Sequence, residues 1–183
     1  MDGDALTVQE YGSTLEVFPF PTDTDALLGA LTDVFERWWE DIFFGTLVQG
    51  AAWEVAAPGP PQKMGMLDGY LTVDFGAWHF HLCIGEHTAS GPELGRIRRT
   101  ARAELYRGLD GDGVPVTWGF RLFNGEDTQL LTVLLPNPFL SNRQEPLAEP
   151  DFDRLEAWDH LRAKFLGLEP DPKDRLGTGF VHT

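Results

Sequence analysis

Residues 78 to 84 read Trp-His-Phe-His-Leu-Cys-Ile, where bulky apolar side chains alternate with His79, His81 and Cys83. Successive side chains of a strand point to opposite faces, so this alternation predicts a β-strand with its three metal-class side chains on one face. Imidazoles at i and i+2 stand about 7 Å apart along the backbone and can converge on one ion. A divalent metal such as zinc needs at least a third ligand, and His87, beyond Gly85, stands where the chain turns and can fold back. The candidate metal set is therefore His79, His81 and His87. Cys83 lies two residues further along an extended chain, too far to share an ion with both strand histidines.

Gly76-Ala77 precedes this strand, and glycine first in a two-residue loop suits a type II′ hairpin turn. That turn fixes a register in which Asp74 opposes His79, Thr72 opposes His81 and Tyr70 opposes Cys83, each pair on a common face. Asp74 can then accept a ring proton and orient an imidazole, which makes His79, His81 and Asp74 a candidate acid/base group. Three uses stay open: metal ligation, acid/base or ligand-binding work without metal, and plain hydrogen-bonded surface residues. Cys83 as a nucleophile needs a base such as His81, whereas a lone cysteine is more often a small buried hydrophobe.

Arg96, Arg98, Arg99, Arg102 and Arg107 place five of the 14 basic residues within twelve positions. Guanidinium groups such as Arg98 and Arg102 can grip a carboxylate or phosphate, and the alternative is a solvated helix face paired with Glu93 and Glu104. Arg121, a lone charge among Trp118, Phe120, Leu122 and Phe123, is an anion binder if its face adjoins the histidines. Tyr70, Arg102 and Arg121 are thus the candidate ligand-binding residues. Asp110-Gly-Asp-Gly113 lacks the later ligands of a calcium loop and reads as a turn. His160 sits among Asp159 and Arg162 on a surface helix, and His182 lies near the end of the sequence.

These residues must be positioned by a recognisable set of elements. Thr24 to Phe44 has helical apolar spacing after Thr22 and Asp23 as caps. Thr46–Ala57, Met64–Phe75 and the histidine strand follow, with Pro58-Gly59-Pro60-Pro61 as a loop. Ser90-Gly-Pro-Glu93 resembles a capping box before a second helix marked by Leu94, Ile97, Ala101 and Leu105. Val116–Phe123 and Gln129–Leu135 form a hairpin around Asn124-Gly125, and Phe152 to Phe165 is a last amphipathic helix. Thr14 to Phe20 is a short strand or extended arm. The fold class is α+β: a mainly antiparallel five-stranded sheet with helices on one face, in the order α-β-β-β-α-β-β-α. Residues 1–168 form one domain, and 169–183 a loose tail.

That element order and the acidic charge resemble the type III secretion chaperones and YbjN-like proteins, and the resemblance implies a homodimer and a protein partner. Trp78 to Gly85, Arg102 to Arg107, Leu135 to Leu140 and Trp158 to Arg162 together resemble an uncharacterised bacterial family, which implies no activity.

Composition narrows the function classes. A net charge of −15, from 29 acidic and 14 basic residues, repels nucleic acid and anionic membranes. Hydrophobic content of 42%, with 13 Phe and 6 Trp, argues for a packed core, and no apolar run nears the roughly 20 residues of a membrane helix. One cysteine and no basic-apolar leader point to the cytoplasm. The sequence therefore reads as a protein with a His/Asp/Arg site on the open sheet face, binding a small anionic or metal-bearing ligand and open to catalysis. The alternative is a non-catalytic acidic interaction protein that holds a protein partner.

Overall fold

The structure is a computed structural model, described for residues 5–10, 12–48 and 50–180. His182 lies outside these. The described residues form twelve strands: β1 (Leu6–Glu10), β2 (Ser13–Phe20), β3 (Phe43–Gly45), β4 (Leu47–Val48), β5 (Ala51–Ala52), β6 (Val55–Ala56), β7 (Lys63–Leu67), β8 (Tyr70–Asp74), β9 (His79–Cys83), β10 (Arg102–Leu109), β11 (Pro115–Phe123) and β12 (Gln129–Leu134). Helices α1 (Thr24–Arg37) and α2 (Pro92–Arg98) precede α3 (Glu156–Leu161), which is flanked by a 3-10 turn and a π turn. The class is α+β with mostly antiparallel pairing, but two strands precede α1 and the main sheet is larger than five strands. It has seven, in the order β1-β2-β10-β11-β12-β3-β6, beside a β7-β8-β9 sheet and a β4-β5 pair.

The chain divides into two compact units. One comprises residues 1–20, 104–120 and 133–183, the other 21–103 and 121–132.

In the second unit α1 begins where Asp23 accepts a hydrogen bond from the Ala26 amide at 2.9 Å, a cap that contributes about 1 kcal/mol. Leu27, Ala30, Leu31, Val34 and Phe35 form its buried stripe. The helix ends at Arg37 rather than Phe44, because Phe43 and Phe44 are taken into β3. Phe35 meets Phe44 edge to face at 4.9 Å and Phe80 at 5.5 Å, so the apolar face of β9 is packed against α1 and β3. The expected strand over 64–75 is instead a hairpin, β7 turning into β8 at Asp68-Gly69, both with positive φ (45° and 80°). That dipeptide is a type I′ turn signal, and it carried the missed break.

The second helix also corrects the sequence reading. It stops at Arg98, Leu94 is exposed, and Leu105 is fully buried in β10 instead. The Thr100 amide and hydroxyl both donate to the Cys83 carbonyl, at 2.8 and 2.9 Å, which pulls the chain out of the helix. A strand buried on both faces has no alternation to betray it, so its apolar residues passed for a helical stripe.

In the first unit the core runs from Leu15 and Val17 to Phe18, Trp118 and Trp158. Residues after Leu168 are not simply a loose tail: Pro172–Arg175 forms a 3-10 turn whose Asp174 is fully buried. Asp174 accepts hydrogen bonds at 2.8 Å each from the indoles of Trp118 and Trp158 and from Arg107. Arg107 also pairs with Glu16 and Asp171, and Lys173 with Glu16. No described helix is long and apolar enough to cross a membrane.

Candidate functional site

The hairpin that carries the histidines has the expected register. Asp74 pairs with His79, Thr72 with His81 and Tyr70 with Cys83, while the Phe75 amide donates to the Trp78 carbonyl at 3.0 Å across the Gly76-Ala77 loop. Gly76 has φ 84°, the left-handed conformation that a type II′ turn demands of its first loop residue. Asp74 serves that turn: its carboxylate accepts the Gly76 amide at 2.7 Å.

His79 and His81 are exposed, and their rings meet edge to face at 5.0 Å. His81 Nδ1 lies 2.8 Å from the Thr72 hydroxyl, which fixes the ring and leaves Nε2 as the outward nitrogen. Cys83 is buried, and burial pushes its thiol pKa up against the opposing pull of Arg99 and a hydrogen bond from Tyr70. A protonated, enclosed thiol is a poor nucleophile, so the small-hydrophobe reading of Cys83 prevails.

His87 does fold back, but toward the Asp68-Gly69 turn rather than toward His79 and His81. Its Nδ1 stands 2.8 Å from Asp68 Oδ2, and its Nε2 is 2.9 Å from the Ser90 hydroxyl, so both ring nitrogens are engaged. Tyr70 lies edge to face over the ring at 5.1 Å. Asp68 also accepts from the Thr88 and Ala89 amides and the Thr88 hydroxyl; the Thr88 amide bond leads in holding its carboxyl pKa below the usual value. Ser90 is therefore not the cap of a capping box. Gly91 precedes α2 without a side-chain cap, and Ser90 receives Arg98 at 2.7 Å.

Among the described residues no three His, Cys, Asp or Glu side chains converge as a metal cluster, so the expected zinc set of His79, His81 and His87 is not assembled. Arg102 lies on β10, not on a helix, where it is bound to Asp127 at 2.7 Å and stacked 3.5 Å from the Phe123 ring. Arg121 is buried on β11 with its guanidinium 5.3 Å from that same ring. His160 is half-buried on α3.

Sequence reading missed a groove beside β9. A cavity of about 460 Å³ is lined by Phe44, Trp53, Val55, Trp78, Phe80 and Leu130, and His81 is also in its lining. Two apolar lining residues are open to water, Trp53 at 54% and Val55 at 38% exposure. Indole in water next to an aromatic cleft is costly to leave uncovered, and such patches mark binding surfaces. The signal in the sequence was Trp53, set among small residues in a segment too broken to pair as one strand.

The matched family model spans residues 5–167. The chain belongs to DUF7676, a family of unknown function. No curated protein matches it. Among solved structures, the fold is similar to a crystal structure of ChuX, at TM-score 0.54 and 14% identity, covering 84% of this chain and 78% of that one. It is similar also to a structure of the heme binding protein ChuX, at TM-score 0.50 and 15% identity, covering 82% and 76%. At such identities the likeness to these two structures is one of fold.

Proposed function

We propose that the protein binds haem, or a closely similar planar metal-bearing ligand, in the groove beside β9, where His81 would be the residue that holds its metal. The observation that carries this reading is the pairing of an aromatic, apolar cleft with an imidazole whose inner nitrogen is already held by Thr72. With the ring proton on Nδ1 and given to the Thr72 hydroxyl, Nε2 keeps its lone pair for a metal, the arrangement that orients metal-ligating histidines generally. Haem suits the donor set where zinc does not. The macrocycle supplies four nitrogens, so one or two protein ligands suffice, and the faces of Phe44, Trp53, Trp78 and Phe80 offer the apolar contact area a porphyrin needs. When bound, haem would supply the iron and its redox and ligand chemistry.

Around it, the chain's own residues have separate duties. His81 would hold the metal, Thr72 would fix its tautomer, and His79, ring to ring with His81, would be an adjacent proton carrier. Asp74, whose carboxylate accepts the Gly76 amide, would act on the pair only by holding the turn that sets their register. Similarity of fold to a protein described as heme binding agrees with this reading. Arg102, being tied to Asp127, is a weak anion anchor, and Tyr70 serves the His87 cluster instead. Haemin added to the purified protein is expected to quench tryptophan fluorescence saturably at one equivalent, through Trp53 and Trp78. Quenching that rises linearly with no endpoint contradicts the proposal.

A second reading, a non-catalytic protein that holds a protein partner, draws on the exposed Leu47, Val48, Trp53 and Val55. It is favoured if sedimentation finds a concentration-dependent dimer while haemin leaves the fluorescence unsaturated.

A further inference from the structure

A second cavity, of about 620 Å³, is lined by Thr22, ahead of α1, by the 86–88 loop and by Pro92, Gly95 and Arg96 of α2. It shares no lining residue with the aromatic groove. Its wall includes Arg96, Arg99, Thr22, Thr88 and His87. The arginines of this region divide into two kinds. Arg98 is committed to Ser90, and Arg102 to Asp127. Arg96 and Arg99 line the cavity with no ion-pair partner among the described residues, although the chain carries 29 acidic side chains. In a protein of net charge −15, two unneutralised guanidiniums on a common wall are a local reversal of the field.

The wall is preorganised. Positions 96 and 99 are three apart, the spacing that puts side chains on one helix face, with Arg99 as the residue that caps α2. The helix is seated on the 86–88 loop at Gly95, where a Cβ would stand 2.3 Å from the His87 carbonyl oxygen. His87 itself is locked between Asp68 and Ser90, so the loop beneath the arginines is fixed before any ligand arrives. Thr22 adds a hydroxyl from the segment that leads into α1, whereas the Thr88 and Thr100 hydroxyls are spent on Asp68 and the Cys83 carbonyl. Glu86, exposed on the same rim, opposes any anion, so binding here must rest on the two guanidinium forks each gripping the ligand.

We infer that this cavity binds a small, multiply charged oxyanion, a phosphate or a dicarboxylate, held by Arg96 and Arg99 with the Thr22 hydroxyl. The site is independent of the aromatic groove and adds an anion site to the ligand-binding reading.

Isothermal titration of the full chain at low salt, with inorganic pyrophosphate and with succinate as separate probes, tests it. At least one probe should bind with a stoichiometry of one, and the stronger of the two identifies the phosphate or carboxylate class. The double variant R96A/R99A should weaken that binding at least ten-fold, while R143A, at an exposed arginine of the other unit, should leave it unchanged. The haemin response should be the same in all three proteins, which separates this site from the groove. Absence of binding by the unaltered protein overturns the inference without recourse to any variant. Undiminished binding by R96A/R99A, or a loss caused equally by R143A, overturns it as well.

Discussion

His81 Nδ1 and Thr72 Oγ1 are 2.8 Å apart across the β8-β9 pair. This contact decides which imidazole nitrogen faces outward, so it links a strand register to a binding chemistry. Thr72→Val keeps the β-branched shape and removes the hydroxyl. Metal-ligand partners of this kind are worth roughly 10–100-fold in affinity. Haemin affinity of Thr72→Val should fall by about that factor with little change in melting temperature, measured by fluorescence titration and calorimetry. Unchanged affinity would mean that His81 is not oriented by Thr72.

Asp174 anchors the other unit. Three buried donors, from Trp118, Trp158 and Arg107, converge on it, and removing one partner of a buried charged network typically costs about 3–5 kcal/mol. Asp174→Ala should lower urea-unfolding stability by that order, and a loss below about 1 kcal/mol would show that the turn is dispensable.

Acid should act on the same unit through Glu16 and Asp171. Burial works to raise both pKa values. For Glu16, hydrogen bonds from Lys173 and Arg107 more than offset it; for Asp171, the Lys173 amide and Arg107 do, and both carboxyls end below their ordinary values of 4.5 and 3.8. A carboxyl depressed in the folded state binds fewer protons there than in the unfolded chain. Its stabilisation is therefore full above the unfolded pKa and is lost as pH falls through the lower folded value. Glu16→Gln should melt lower than the unaltered protein near neutrality and lose less on acidification below about pH 4.5, the ordinary glutamate value. Parallel melting curves across that range would contradict the linkage.

Cys83 should resist modification. Its thiol is buried and its pKa raised, so a disulfide reagent at neutral pH should react with the native protein far more slowly than with the urea-unfolded chain. Equal rates would place Cys83 in an open, reactive setting.

The histidine hairpin was legible because its cues are local. Alternation fixes the faces of β9, and Gly76 fixes the turn and with it every cross-strand pair. What could not be read depends on distant partners. β10 is buried along nearly its whole length, so Leu105 and Ala103 carry no period, and the helix before it ends because Thr100 finds the Cys83 carbonyl. Asp68-Gly69 was a local turn signal overlooked inside a long apolar run. His87 was placed at a bend correctly, yet which acid it meets depends on that overlooked turn. The groove is the extreme case: Phe44, Trp53, Phe80 and Leu130 are far apart in sequence, and only the fold makes them neighbours.

The most direct test of haem ligation by His81 is a Soret titration of haemin into the unaltered protein and His81→Ala, each repeated with free imidazole. The account predicts a saturable, shifted Soret band at one equivalent for the unaltered protein. It predicts loss of that shifted band in His81→Ala, and its recovery when imidazole fills the space left by the side chain. A Soret band identical in both proteins, or no saturable band in the unaltered one, would contradict it.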